Sequence, residues 1–393
     1  MRDVFVVSAV RTPVGKRNGY LREWIPAELL GYVLDEAVRR ADVDPALVED
    51  VINGTVYQVG EQGFTLGRTG IFASKLPDTV PGTSVNRQCG SSLTTIQMAC
   101  GMIVSNVHDV VIASGIELMS KYPISSDVGG TLPDGRPEAQ PFGEFYMKRL
   151  EGGKFYNQGQ AAQAIAEKWG ITRLECEEFA LASHTKAHNA TVNGYFKREI
   201  LSTKGLDKEG NGIVVEADET IRPDTSLEKL ATLDPALGTK WITAGTSSPV
   251  TDGASAVLLM SEEKVKELNL TPLVRIKASA VVGCDPTLML TGPLYVTPKV
   301  LDKAGLTMDD IDIFEVNEAF APVPLAWAKE LDAPMEKLNV NGGALALGHP
   351  VGNSGCRLSV TAIYELIRRQ AKYALVTLCT GGAMAPATIF ERV

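Results

Sequence analysis

Asn339-Val340-Asn341-Gly342-Gly343-Ala344-Leu345-Ala346-Leu347-Gly348-His349-Pro350-Val351-Gly352-Asn353-Ser354-Gly355-Cys356-Arg357 is a glycine-rich loop that opens onto an apolar-periodic run. Its five glycines (342, 343, 348, 352 and 355) let backbone pack against backbone, or against a ligand, where a Cβ would collide. His349, one of four histidines in 393 residues, stands beside Pro350 just ahead of that run. An imidazole titrates near neutral pH and suits proton transfer, although a lone loop histidine is more often a satisfied turn residue. Its meaning depends on what else the chain brings to the same place.

On either side of this loop, short β-branched runs alternate with helix-period segments. The pattern predicts strands over 4–9, 51–56, 110–114, 256–260, 274–280, 311–316 and 374–378, and helices over 27–41, 91–106, 297–304, 319–331 and 353–370. Such alternation indicates an α/β fold with sheets covered on both faces. The elements also recur at a fixed interval. Adding 263 carries Val48 and Val51 onto Ile311 and Phe314, and Cys89 at one helix start onto Gly352 at another; adding 264 carries Gly115 onto Cys379, each closing an apolar strand. Identities are few, so the repeat is one of order and spacing, giving two similar halves.

Residues 1–120 form the first half and 273–393 the second. Residues 121–247 interrupt the first half, which 248–272 complete, because Asp252 to Met260 reads as one more core strand. The interruption holds Gly129-Gly130, Pro133-Asp134-Gly135-Arg136-Pro137 and Pro141-Phe142-Gly143, predicted helices over 160–169 and 173–193, and an acidic stretch with Asp218-Glu219. A lid or a cofactor-holding domain suits such an insertion.

Composition narrows the partners. A net charge of −9 argues against nucleic acid and anionic membranes, which need a basic face to displace counterions. No run approaches eighteen apolar residues and the first residues lead directly into a strand, so an intracellular, cytoplasmic protein is expected. Six cysteines (89, 100, 176, 284, 356 and 379) without CxxC spacing suggest neither a zinc site nor a disulfide framework.

Two of those cysteines occupy chemically promising loops. In Asn86-Arg87-Gln88-Cys89-Gly90-Ser91-Ser92 the thiol precedes an apolar-periodic segment, where unpaired helix amides favour thiolate. In Cys379-Thr380-Gly381-Gly382-Ala383-Met384 a cysteine leaves a strand into glycines whose amides can hold an oxyanion. The repeat lets Cys89, His349 and Cys379 converge between the halves, and Asn317-Glu318-Ala319-Phe320 adds an amide at the same edge. Two thiols, an imidazole and an amide suit acyl transfer through a thioester.

Along its whole length the sequence resembles the thiolases. The Cys-Gly-Ser loop at 89, Asn-Glu-Ala-Phe at 317, Asn-Gly-Gly-Ala to Gly-His-Pro at 341–350 and Cys-x-Gly-Gly at 379 stand in family order. The resemblance implies a duplicated αβαβα five-layer fold whose inserted loop domain binds coenzyme A. It implies ping-pong acyl transfer between CoA thioesters, with Cys89 as acyl-carrying nucleophile, His349 as its base and Cys379 as the acid/base at the α-carbon. Asn317 would hold a water that forms one oxyanion hole with His349 Nε2, and the amides of Cys89 and Gly381 would form the other. Ala244 and Ser248 would contact pantetheine and Arg222 the nucleotide end of CoA, with Asn157, Gln158 and Phe320 on the substrate side. CoA is then a substrate, and no metal or other cofactor is implied. A homodimer or homotetramer is expected.

Some positions depart from the family pattern. Asn157-Gln158 replaces the His-Met of short-chain biosynthetic thiolases, so acyl groups longer or bulkier than acetoacetyl are expected. Thr246 stands where Asn is common, and Cys-Thr-Gly-Gly-Ala-Met replaces a run of three glycines. Gly15-Lys16-Arg17-Asn18-Gly19 and Thr246-Ser247-Ser248 are similar to bacterial degradative thiolases, including those acting on steroid side chains. The alternatives are a β-ketoacyl synthase-like condensing enzyme, which pairs its cysteine with two histidines, and a non-catalytic acyl-CoA- or lipid-binding relative, which would lack a reactive group.

Overall fold

The computed structural model describes residues 2–130 and 141–393, so the Pro133–Pro137 turn lies outside the described residues. Strands form where apolar runs are long enough to be buried on both faces. All nine residues of Val110–Leu118 are buried, as are all eleven of Thr251–Ser261. The main strands are β1 (Val4–Arg11), β2 (Asp50–Gly54), β3 (Gly82–Val85), β4 (Val110–Leu118), β5 (Thr251–Ser261), β6 (Val274–Gly283), β7 (Ile313–Val316), β8 (Tyr373–Thr377) and β9 (Met384–Arg392).

Their order displays the duplication. The first half runs β3-β2-β4-β5-β1 and the second β7-β8-β9-β6. In each half a parallel pair (β2 with β4, β7 with β8) is followed by two antiparallel pairings. The sheets meet along β1 and β6 through only two residue pairs, Phe5 with Arg275 and Val6 with Val274. The 263-residue interval relates β2 to β7 and β4 to β8 by their first residues, and it holds again for the central helices α3 (Ser91–Val104) and α8 (Ser354–Arg369).

Five layers result. Helices α1 (Pro26–Ala41) and α2 (Leu66–Phe72) cover the outer face of the first sheet, where Leu29, Leu30, Val33, Leu34 and Ala37 of α1 make one apolar face against Val51, Ile112 and Leu258. On the outer face of the second sheet, α6 (Gly292–Ala304) and α7 (Pro322–Glu330) pack on Phe314, Leu375 and Ile389. Between the sheets, Leu93, Ile96 and Ile103 of α3 and Leu358, Ile363 and Leu366 of α8 share one core with strands of both halves.

Between β4 and β5 the chain leaves the sheet, building α4 (Gln158–Trp169), α5 (Arg173–Val192) and a hairpin of Thr203–Leu206 with Gly212–Val215. Buried Arg11 of β1 anchors this excursion by donating to Glu199 at 2.6 Å and to Asp218 at 2.7 and 2.9 Å. The strand list read from sequence lacks β3, whose four residues are all half-buried, and β9. In β9, Pro386 interrupts the strand pattern although it pairs with Val281 inside the sheet. Helix α7 starts at Pro322 rather than 319, because proline at the first turn suits a helix start.

The central helices touch where Gly355 faces α3. A Cβ at Gly355 would stand 2.1 Å from the Leu93 amide nitrogen, whereas Gly101, at an exposed turn of α3, has nothing within 4 Å. Gly355→Ala should therefore destabilise the protein by about 1–3 kcal/mol or more in denaturant unfolding. Gly101→Ala should stabilise it by roughly 0.5–1 kcal/mol. Equal effects at the two positions would contradict this helix contact.

Candidate active site

The turn between β3 and α3 is built to present Cys89. Gln88 adopts φ 50°, and its amide donates to Asn86 Oδ1 at 2.8 Å while Asn86 Nδ2 donates to the Val56 carbonyl at 2.9 Å. Ser91 Oγ donates to the Gln88 carbonyl at 2.6 Å and accepts from the Arg87 amide at 2.9 Å. Cys89 is thereby held one residue ahead of the helix cap Gly90, 6% exposed. A Cβ on Gly90 would meet Thr380 and Pro386 at 2.8–2.9 Å, so glycine is what admits the second half's loop.

That loop leaves β8 through Cys379, 1% exposed, and is closed by the Thr380 amide donating to the Met384 carbonyl at 3.1 Å. The backbone amides of Gly381 and of Cys89 itself both reach the Cys89 sulfur. Asn317 follows β7, with its amide donating to the Thr377 carbonyl at 3.1 Å, and its side-chain nitrogen lies 3.3 Å from His349 Nε2. Asn317 Oδ1 is buried without a partner.

His349 follows Gly348, whose φ of 90° turns the chain into the site. Its Nδ1 lies 2.6 Å from Ser354 Oγ, and that hydroxyl is 2.9 Å from the Pro350 carbonyl. A hydroxyl has one proton to give. Donated to the carbonyl, it leaves the oxygen to accept from Nδ1–H, which assigns the lone pair to Nε2, the nitrogen beside Asn317.

Across this chain the family description "Thiolase, N-terminal domain" matches residues 4–263, and "Thiolase, C-terminal domain" matches residues 270–392. The chain belongs to the thiolase family. It is 41% identical over 405 residues to a 3-ketoacyl-CoA thiolase of Idiomarina loihiensis, with 100% of each chain covered. It is 42% identical over 393 residues to a steroid 3-ketoacyl-CoA thiolase of Mycobacterium tuberculosis, covering 100% of this chain and 95% of the relative. Two solved structures align over 100% of this chain and 99% of theirs. One is human mitochondrial 3-ketoacyl-CoA thiolase, at TM-score 0.89 and 36% identity, and the other the Bacillus anthracis acetyl-CoA acetyltransferase, at 0.90 and 38%.

The electrostatics of this thiolase differ from the thiolate read from the helix start. Burial pushes the Cys89 thiol up to about 11, outweighing the two amides that favour its anion, and Glu117 adds to the rise. Burial, with the charge of Arg357, holds His349 down at about 3. Cys379 is raised far above the ordinary thiol value by burial and then by Cys89 and Cys284. The resting site is therefore two thiols and a neutral imidazole. Helix-start amides lose here because a fully desolvated anion costs more than two hydrogen bonds return.

The residues expected on the substrate side separate into two groups. The Ser248 amide donates to the Ala319 carbonyl at 3.0 Å, the Ala321 amide donates to the Thr246 carbonyl at 3.0 Å, and Ser247 bridges Phe320, so this segment lies along the Asn317 loop. Gln158 Nε2 comes within 3.5 Å of where a Cβ on Gly381 would be. Ala244 is exposed at the start of a short turn. Asn157, in contrast, caps α4, accepting from the Gln160 amide at 2.9 Å and donating to the Leu237 carbonyl at 3.1 Å. Arg222 is exposed on the insertion, its amide donating to His184 Nδ1 at 3.1 Å.

Two supporting residues escaped the sequence reading. Glu318 lies buried beneath the Asn317 loop, accepting from Ser183 Oγ at 2.7 Å, Asn339 Nδ2 at 2.8 Å and the Leu345 amide at 3.1 Å. Glu117 is fully buried near Cys89. The available signal was a lone carboxylate inside the apolar run of β4.

Alkylation of Cys89 by iodoacetamide should accelerate roughly tenfold per pH unit from pH 6 to 10, because only the rare thiolate reacts and its pKa is raised. Mass-mapped rates that level off below pH 8 would show a thiolate already present at rest.

Proposed function

We propose that this thiolase moves acyl groups between CoA thioesters through an acyl-enzyme on Cys89, cleaving 3-ketoacyl-CoA with free CoA or, in reverse, condensing two acyl-CoA molecules. The observation that carries the reading is the convergence of the Cys89 and Gly381 amides on the Cys89 sulfur, in a chain that also holds His349 Nε2 3.3 Å from the Asn317 side-chain nitrogen. The names of the relatives, 3-ketoacyl-CoA thiolase and acetyl-CoA acetyltransferase, support the same substrate class.

In the cleavage direction His349 Nε2 takes the Cys89 proton as sulfur attacks the 3-keto carbon. Neutral thiol and neutral imidazole make this transfer simultaneous with attack rather than prior to it. The Cys89 and Gly381 amides hold the developing oxyanion. The bond between the α- and β-carbons breaks, and Cys379 gives its proton to the departing acetyl-CoA carbanion. The opposing oxyanion hole, for the enolate oxygen, is His349 Nε2 with a water held by Asn317. A free CoA thiol then gives its proton to the Cys379 thiolate as its sulfur attacks the acyl carbon, and Cys89 leaves and recovers its proton from His349. The 3-keto carbonyl takes the nucleophile and the CoA thioester stabilises the departing carbanion as its enolate, so the mechanism calls on no metal or redox cofactor.

Gln158 beside Gly381, together with the steroid-acting relative, supports acyl groups larger than acetoacetyl. Ala244 and Ser248 are assigned to the pantetheine arm, Phe320 to the substrate side, and exposed Arg222 to the nucleotide. Asn157 supports this region as a helix cap. A homodimer or homotetramer is part of the proposal, since β3 ends the sheet as an open edge near Phe64 and Phe72, which are 93% and 59% exposed. Among the described residues no helix is long and apolar enough to cross a membrane. A cytoplasmic site of action follows from the reading, because free thiols and CoA thioesters belong to reducing compartments.

Thiolysis rates across 3-ketoacyl-CoA substrates of increasing length test the substrate class. Cleavage of six-carbon and longer substrates is expected, and strict selectivity for acetoacetyl-CoA would contradict it. The two thiols should also separate by step. Cys379→Ala should still gain an acetyl mass on Cys89 from acetyl-CoA while condensation and α-proton exchange into deuterated water fall by about 10²–10⁴-fold. Cys89→Ala should form no acyl-enzyme, and near-normal exchange in Cys379→Ala would move the acid/base role to another group.

A further inference from the structure

The exit of β4 carries a carboxylate that the mechanism above does not use. Glu117 Oε2 accepts from the Val56 amide at 2.8 Å and the Gly352 amide at 3.0 Å, while Oε1 accepts from the Tyr57 amide at 3.2 Å and Gln62 Nε2 at 2.7 Å. Val56 and Tyr57 pack with Cys89, Met119 and Val351 in one apolar cluster, so they wall the nucleophile's pocket. Gly352 belongs to the other half, three residues beyond His349 and two before Ser354, which holds the imidazole. A Cβ on Gly352 would stand 2.5 Å from Glu117 Oε2, so the grip requires glycine.

The duplication gives this contact a counterpart. The exit of β8 meets the start of α3, where the Gly381 amide reaches the Cys89 sulfur. The exit of β4 meets the start of α8, where the Gly352 amide reaches Glu117. One of the two quasi-equivalent junctions carries the chemistry, and the other carries a carboxylate.

We infer that Glu117 is a positioning residue for acyl transfer, its carboxylate tying the turn after His349 to the wall of the Cys89 pocket and so setting the spacing of base and nucleophile across the two halves. The inference rests on Cys89 being the acylated residue. Only the ionised group accepts from all four donors. Protonation turns one oxygen into a donor facing N–H groups, and the clamp loosens.

That change falls in an accessible range. Burial lifts Glu117 to about 7, against four neutral donors. The titratable groups that face it are the Cys89 thiol and the Tyr57 phenol, both pushed upward, with Asp127 beyond Tyr57. His349, on the far side of the Gly352 turn, is held at about 3. On the adjacent strand Asp252, raised to about 6, accepts from Ser120, at its amide and hydroxyl, rather than from the clamp. Cys89, at about 11, and His349, at about 3, lie outside the range from pH 5 to 9, so a neutral limb falls to Glu117 or Asp252, and only a limb that Glu117→Gln removes belongs to the clamp.

The test is rapid-quench acylation by acetyl-CoA, read as acetyl mass on Cys89, from pH 5.5 to 9. Wild-type acylation should decline below about pH 7. Glu117→Gln should acylate about 10²-fold more slowly at pH 8, lose that limb, and keep its apparent affinity for acetyl-CoA within a few fold. A purely structural carboxylate would lower the melting temperature and leave rate and limb in place; that result overturns the inference. Gln62→Met provides a second arm, decisive if Glu117→Gln does not fold. Removing one donor makes the carboxylate harder to ionise, so the limb should move to higher pH, and an unmoved limb overturns the inference. Acetyl mass on a residue other than Cys89 in the wild type instead overturns the acyl-enzyme reading itself.

Discussion

The close approach of the two central helix starts is the constraint on which the rest of this thiolase depends. Gly355 of α8 meets the Leu93 amide of α3, and the Cys356 amide donates to Ser92 Oγ at 2.9 Å. Gly54, at the end of β2, and Gly115, inside β4, leave room for Ser92 in the same place. No side chain larger than hydrogen fits at these contacts, so the packing sets a short distance between the halves and therefore between the loops at the helix starts. Each helix start is then met by a strand exit from the opposite half, and Cys89 and His349, the proposed nucleophile and base, come from different copies of the repeat.

Burial follows from that closeness and shapes the chemistry. Bringing both halves together removes water from Cys89, His349 and Cys379, and each is driven toward its neutral form. A preformed thiolate–imidazolium pair would be charged before any substrate arrived. The neutral pair instead stores its reactivity until a carbonyl oxygen can use the Cys89 and Gly381 amides, which already point at the sulfur. Ser354 matters for the same reason. By accepting a hydrogen bond from Nδ1–H it leaves the imidazole lone pair on Nε2.

The fold was legible because its signals are local and repeated. Helix starts at Ser91 and Ser354, and strand starts at Asp50 and Ile313, keep one interval of 263 residues although the residues themselves differ. Strand β9 was not legible, since Pro386 contradicts a central strand and only Thr377 and Val281 on its neighbours explain its tolerance. Of the residues proposed for the site, Cys89, His349, Cys379 and Asn317 stand out in the sequence because they lie in loops at element ends. Glu117 did not, because its four partners lie 55 to 235 residues away in the chain and none is signalled by spacing. The thiolate expectation failed for a related reason: a helix start is visible in sequence, but desolvation by the opposite half is not. Asn157, expected on the substrate side, caps α4, its side chain hydrogen-bonded to Gln160 and Leu237, which sequence spacing alone does not reveal.

On the proposed mechanism the second half's glycine loop completes an oxyanion hole around the first half's cysteine. A crystal structure of the enzyme trapped with acetyl-CoA measures it most directly. The account predicts a thioester on Cys89 whose carbonyl oxygen lies within about 3.1 Å of both the Cys89 and Gly381 amide nitrogens. A thioester on another cysteine, or a carbonyl oxygen turned away from Gly381, would contradict it.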